Sequence, residues 1–310
     1  NSKILIETGE ETGSPGLREV CENNRDLFAA DVLIASDGPR LSPNRPTIFL
    51  GARGNFNFSM KVDLRDGGHH SGNWGGLLSN PGIILAHAIA SLTSATGEMY
   101  VPEWRPSGIP DAVRNAVHNL VIDGGDDAPE IDPDWGEPGL TGPEKVFAWN
   151  GFEVLAFTSG NPEHPVNAIP PNAVAYCQIR FTVGVDPEEF MPGLRRFLDA
   201  RGFPMVELSM TRESYMRATR LSPDDPWVEW AVASLQKTTG KEPAVLPSLG
   251  GSLPNDVFAD VLGLPTVWVP HSYASCSQHA PNEHMLAPVA REALQIMTGL
   301  FWDLGDSPPH

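Results

Sequence analysis

Basic residues are scarce in this chain of 310 residues: 21 Lys and Arg stand against 39 Asp and Glu, for a formal net charge of -18 at pH 7. The imbalance argues against nucleic acid and against an anionic membrane as partners, since both would repel the chain. An acidic small molecule stays admissible, because a local basic or metal site overrides the global sign. Cysteine is scarcer still. Cys21, Cys177 and Cys276 are odd in number and far apart, so no disulfide framework is evident and a reduced, cytoplasmic setting is expected. Cys177 falls in a strand pattern and reads as core rather than nucleophile. No apolar run reaches about 18 residues, so no membrane-spanning helix is expected. No internal repeat is evident. The chain opens on Asn rather than Met, and residues 1–6 already read as a core strand. A natural domain seldom begins on a buried strand, so a preceding segment, with any signal peptide it carries, is expected.

What remains is an ordinary globular composition, 41% hydrophobic, long enough for one large or two ordinary domains. Strand-like runs at 3–7, 31–36 and 265–270 alternate with helical stretches at 14–24, 226–239 and 288–304. Ser14 with Pro15, and Asp225 with Pro226, read as helix starts, and Gly240 as a stop. That alternation implies a mostly parallel sheet covered by helices. Residues 53–212 follow another order: strand 56–64, helix 82–94, strands 153–158 and 173–183, helix 186–201 with Asp186 and Glu189 as a capping box, and strand 205–211. This β-α-β-β-α-β succession describes a ferredoxin-like unit with an antiparallel sheet. It carries a Pro-, Gly- and acid-rich insertion at about 95–150 with a short helical pattern at 110–119. The expected division is a larger domain from 1–52 and 213–310, with 53–212 inserted into it.

The chemistry-bearing residues cluster where strands end. Glu10 and Glu11 follow the first strand-like run, at the sheet edge where open α/β folds place their sites. Adjacent like charges there call for a cation, although two solvated turn acids would look the same. Asp37 follows the second run and serves either as an Asx-turn residue or as a metal carboxylate on the same edge. After the third run, His271, His279, Glu283 and His284 share one polar loop; imidazole with carboxylate suits Zn²⁺, with Mn²⁺ or Co²⁺ also admissible. His69 and His70 lie between glycines in DGGHHSGNWGG, as exposed loop histidines or as groups that reach a ligand. Arg180 points away from the apolar face of its strand, as a solvated charge or a fork for a carboxylate. Leu249-Gly250-Gly251-Ser252-Leu253-Pro254 precedes a helical pattern at 255–262, and N–H groups at such a start suit an anion.

In chain order, EETGSPGL, LIASDGP, GGHHSGNWGG, NAIPPNAVAYCQIRF, LGGSLP and HAPNE resemble the di-zinc metallopeptidases that include carnosinase, aminoacylase, acetylornithine deacetylase and succinyl-diaminopimelate desuccinylase, closest to the carnosinase-like dipeptidase branch. The resemblance spans nearly the whole chain. It implies a catalytic α/β domain with an inserted lid domain through which two copies dimerise. It implies Glu10 as general base, Glu11 and His279 as ligands of one metal and Asp37 of the other. It implies His70 as an oxyanion-stabilising group reaching the partner subunit's site, and Arg180, Asn167, Ser252 and Gly251 as substrate-holding groups. The implied substrate is a dipeptide, or alternatively an N-acyl amino acid; an inert module that only dimerises is the competing reading. The family pattern also has a His-x-Asp and a metal-bridging Asp upstream of these motifs. Neither occurs in residues 1–310, so weak metal binding and low activity of the chain as it stands are expected.

Overall fold

The structure, a computed structural model, describes residues 1–122, 129–212 and 215–309. Part of the insertion expected at 95–150, residues 123–128, lies outside them.

In the larger unit the strands Leu33–Ala35, Thr266–Trp268, Thr47–Phe49 and Ala244–Leu246 form one sheet in that order. The outer pairs are parallel, and a single antiparallel pairing of Trp268 with Phe49 joins the halves. Its central strands are buried throughout, each a threonine followed by two apolar residues, because both faces are covered. On one face Ile48, Leu50 and Val267 meet Val228, Leu235, Ile296 and Leu300 of the helices Pro226–Thr239 and Ala287–Asp306. On the other, Phe49 stacks on Trp268 at 5.8 Å beside Leu17, Cys21 and Phe258. The helix Pro226–Thr239 starts and ends where its residues dictate. The Asp225 side chain accepts the Trp227 N–H at 2.9 Å, Pro226 occupies the first turn, and Gly240 closes the helix at φ 67°.

Two expectations for this unit are corrected. Residues 3–7 form no strand and pair with none of the described strands; Ile4 and Ile6 are 82% and 80% exposed. An extended segment without a neighbour leaves its backbone groups to water and its apolar side chains uncovered. The first helix begins at Leu17 rather than residue 14, because Ser14 (φ 53°) and Gly16 (φ 81°) are left-handed and cannot sit inside a right-handed helix. The helix expected at 255–262 is present over 255–261, with its Val257–Val261 part wound as a wide π turn.

The inserted unit is an antiparallel sheet ordered Gly151–Ser159, Asn172–Phe181, Gly54–Asp63, Val206–Met210, which is the ferredoxin-like arrangement. Alternation explains its core. Phe56, Phe58, Met60 and Val62 point inward with Ala173, Ala175, Cys177 and Ile179, and the helices Pro81–Ala90 and Phe190–Ala200 cover that face. The capping box expected at Asp186 and Glu189 does not form. Asp186 accepts the Glu188 N–H at 3.0 Å, whereas the Glu189 carboxylate is engaged by Arg196 at 3.0 Å. A capping box does occur at Thr141 and Glu144, opening the helix Gly142–Phe147. The insertion serves both cores: Met99, Val101 and Trp104 pack in the inserted unit, Val117, Leu120 and Phe147 in the larger one.

The chain passes between the units twice, and the two passages run side by side. Thr219 N–H donates to Ala52 O at 3.0 Å and Leu221 N–H to Leu50 O at 2.7 Å. Gly51 lies against the second passage so closely that a Cβ there would fall 2.1 Å from Thr219 O. Backbone rather than a flexible side chain blocks the space, so Gly51→Ala is expected to destabilise the protein by about 3 kcal/mol, the upper range for overpacking. Urea unfolding checks this: the midpoint falls while the slope stays unchanged.

Candidate metal and substrate site

A cleft of about 1250 Å³ lies between the two units. Glu10, Glu11, Asp37, Gln278 and His279 line it, as do Asn55, Arg180, Arg212, Gly250, Gly251 and Ser252.

The acidic wall begins at the tight turn Glu10–Thr12, closed by Thr12 N–H to Gly9 O at 3.0 Å and Ser14 N–H to Gly9 O at 2.9 Å. The turn leaves Glu11 exposed and Glu10 half-buried. Burial pushes the Glu10 carboxyl up from its ordinary value, the negative charges of Asp37, Glu11 and Glu7 push it further, and His279 partly opposes them. Glu11 Oε2 lies 3.6 Å from His279 Nδ1. His279 reaches that position on a loop where Ser277 (φ 62°), His279 (φ 58°) and Asn282 (φ 66°) all adopt left-handed backbone, a conformation non-glycine residues hold only under constraint. Asp37 lines the cleft and accepts the N–H of the next residue, Gly38, rather than the N–H two residues on that an Asx turn uses.

Chemically this wall suits a divalent cation. Carboxylates and an imidazole are the donors Zn²⁺ takes, and Mn²⁺ or Co²⁺ accept the same set. Beside burial, the larger cause, the charges of Asp37, Glu11 and Glu7 push the Glu10 carboxyl up, and a cation would relieve that repulsion. Among the described residues no group of three or more His, Cys, Asp or Glu side chains is placed so that it could hold a metal ion.

Arg180 and Arg212, close to one another, add positive charge to the lining. Arg180 Nη1 donates to Ser252 Oγ at 2.8 Å, and its Nε donates to Gln178 Oε1 at 3.0 Å. Burial, then the nearby Arg212 charge, lowers the Arg180 guanidinium from its usual value. An anion entering here meets a cation already stripped of much of its water.

Two expected site residues lie elsewhere. His70 sits on a short ribbon paired with Ala168, and Ser71 donates to Asn167 O through both its N–H (2.9 Å) and its hydroxyl (3.1 Å). The fold thus brings His70 and Asn167 together, both exposed, but does not bring them into the cleft of their own chain. His69 packs edge-on against Trp74. Of the loop histidines only His279 lines the cleft. His271 is partly buried with neither ring nitrogen hydrogen-bonded, and burial, then the Arg40 charge, holds it down at about 4. His284 turns Nδ1 to the Asn282 carbonyl oxygen. Sequence reasoning missed Gln278, Arg212 and the ion pair of Arg18 with the buried Asp256; no local pattern marks them.

Residues 1–303 match the model of peptidase family M20/M25/M40. The chain belongs to this family. The resemblance carried by its motifs is therefore borne out, as is the mixed α/β fold. Among relatives, the cysteinylglycine-S-conjugate dipeptidase of Corynebacterium striatum is 29% identical over 81% of this chain and 55% of its own length. The human Beta-Ala-His dipeptidase is 38% identical over 33% of this chain and 20% of its own length. The chain thus spans about half the length of the first of these relatives. Among solved structures, an M20 family metallo-carboxypeptidase from Sulfolobus solfataricus superposes with a TM-score of 0.76 at 23% identity, covering 94% of this chain and 67% of that one. Human carnosine dipeptidase 1 gives 0.72 at 21% identity, covering 96% and 64%. At such identities the likeness establishes the fold. No helix among the described residues is long and apolar enough to cross a membrane.

Proposed function

We propose that this chain carries the site of a metal-dependent hydrolase that cleaves the amide bond of a small, carboxylate-bearing substrate, as a dipeptidase does. The observation that carries the reading is the cleft itself, lined by Glu10, Glu11, Asp37 and His279 together with the hydrogen-bonded pair Arg180 and Ser252. Glu11 and His279 would hold one Zn²⁺ (or Mn²⁺ or Co²⁺) and Asp37 a second. Bound there, such cations supply Lewis acidity and make water a stronger acid. Glu10 takes the proton of the attacking water and returns it to the leaving amine; its raised proton affinity suits both halves of that transfer. Arg180 takes the substrate carboxylate, with Ser252 and the Gly251 N–H beside it, and so orients the scissile bond toward Glu10.

The inserted unit acts as lid and dimerisation domain in this reading. Its edge strand Gly151–Ser159 exposes Val154, Leu155 and Phe157, an uncovered apolar edge that a second copy would cover. A homodimer built through it supplies His70 and Asn167 to the neighbouring cleft, which accounts for their position outside their own. A cytoplasmic setting suits Cys21, Cys177 and Cys276, which are free and buried.

The test is a substrate panel on the full-length, zinc-loaded protein: dipeptides, their C-terminal carboxamides, and acetylated and succinylated amino acids. Dipeptides with a free carboxylate are expected to turn over fastest. Faster turnover of the acylated amino acids would make the enzyme a deacylase, and hydrolysis of nothing would leave a module that only dimerises.

A further inference from the structure

Arg53 carries a guanidinium that this scheme does not use. It sits where the chain first passes between the units, and burial, with the Arg180 charge adding, lowers it to about 10 while the Glu153 charge opposes. An arginine so enclosed ordinarily faces a carboxylate. Here the fork closes on a single carbonyl: Nε and Nη2 donate to Gly250 O at 2.9 and 2.8 Å. The backbone of Arg53 grips the same loop on either side. Its N–H donates to Leu249 O at 3.2 Å, and its carbonyl accepts the Ser252 hydroxyl at 2.6 Å. That hydroxyl oxygen in turn accepts Arg180 Nη1. One residue therefore sets the conformation of 249–252, a cleft-lining segment with two glycines that has little stiffness of its own.

We propose that Arg53 is a positioning residue for substrate-carboxylate recognition: it fixes residues 250–252 so that Ser252 holds the Arg180 fork toward the cleft. A neutral donor would satisfy the Gly250 carbonyl with a smaller desolvation cost. What the arginine adds is a two-pronged, planar grip that holds the peptide's orientation, and a second positive charge behind Arg180. The inference rests on the reading in which Arg180 takes the carboxylate.

The experiment compares Arg53→Met, Arg53→Lys and Arg180→Met in the full-length, zinc-loaded protein, measuring kcat and KM for a dipeptide and for its C-terminal carboxamide. Removing a charge-assisted contact is worth about 10- to 100-fold in affinity. Arg53→Met is expected to raise KM for the free dipeptide by about that factor with kcat little changed, and to leave KM for the carboxamide nearly unaltered. Arg53→Lys, which keeps charge but gives up the fork, should fall between Arg53→Met and the parent. Equal losses on both substrates would make Arg53 merely structural and overturn the proposal. If Arg53→Met does not fold, Arg53→Lys decides: an unchanged preference for the free carboxylate overturns it, a reduced one supports it. Loss of preference in Arg180→Met but not in the Arg53 variants defeats this inference alone. Retention of preference in Arg180→Met defeats the underlying reading of the site.

Discussion

Glu10→Gln in the full-length protein is expected to lower kcat by about 10²–10⁴-fold, the usual contribution of a positioned general base. The substitution keeps the shape of the side chain and removes only its ability to accept the water proton. Glu10 is half-buried among Glu7, Glu11 and Asp37, so losing its charge also relieves repulsion. The variant should therefore fold at least as well as the parent and hold the same amount of metal, since Glu11, Asp37 and His279 are untouched. Metal content and thermal unfolding measured beside kcat separate the base from a ligand. A variant that turns over at the parental rate with unchanged metal would remove Glu10 from the mechanism, and one that loses metal would make it a ligand.

The second large effect concerns His70. His70→Ala is expected to cost about 10²–10³-fold in kcat, the loss seen when one oxyanion donor is removed. Its position outside the cleft of its own chain makes a sharper test available. If His70 serves the neighbouring subunit, unfolding and refolding a 1:1 mixture of the Glu10→Gln and His70→Ala proteins restores one intact site in each mixed dimer. Half of the dimers are mixed and each has one of two sites whole, so about a quarter of the parental activity returns. Two nearly inactive proteins that stay inactive after mixing would place His70 outside catalysis in trans, and a fully active monomer in sedimentation would remove the dimer itself.

Features built from neighbours in sequence are legible in the residues alone. The helix Pro226–Thr239 has its Asp, Pro and Gly signals at its own ends, and the period-two alternation of the inserted strands names their buried face. Where expectation and fold part, the deciding interaction comes from farther away or from backbone conformation without a residue signature. Ser14 is left-handed although serine does not announce it, so the helix starts only at Leu17. Glu189 is drawn from its cap by Arg196, about two helical turns further on, whereas Thr141 and Glu144, with the same local signature, do close their box.

By itself, then, the sequence determined which residue types stand at strand ends, the two alternating architectures, and membership in a metallopeptidase family, because these depend on local propensity and on motifs in their order. Only the tertiary structure decided that Glu10, Glu11 and Asp37 share a cleft with His279 from the far end of the chain, that His70 and Asn167 stay out of it, and that Arg53 clasps the Gly250 carbonyl. Those are pairings between distant segments, set by how sheet, insertion and loops pack against one another. No short-range preference encodes them.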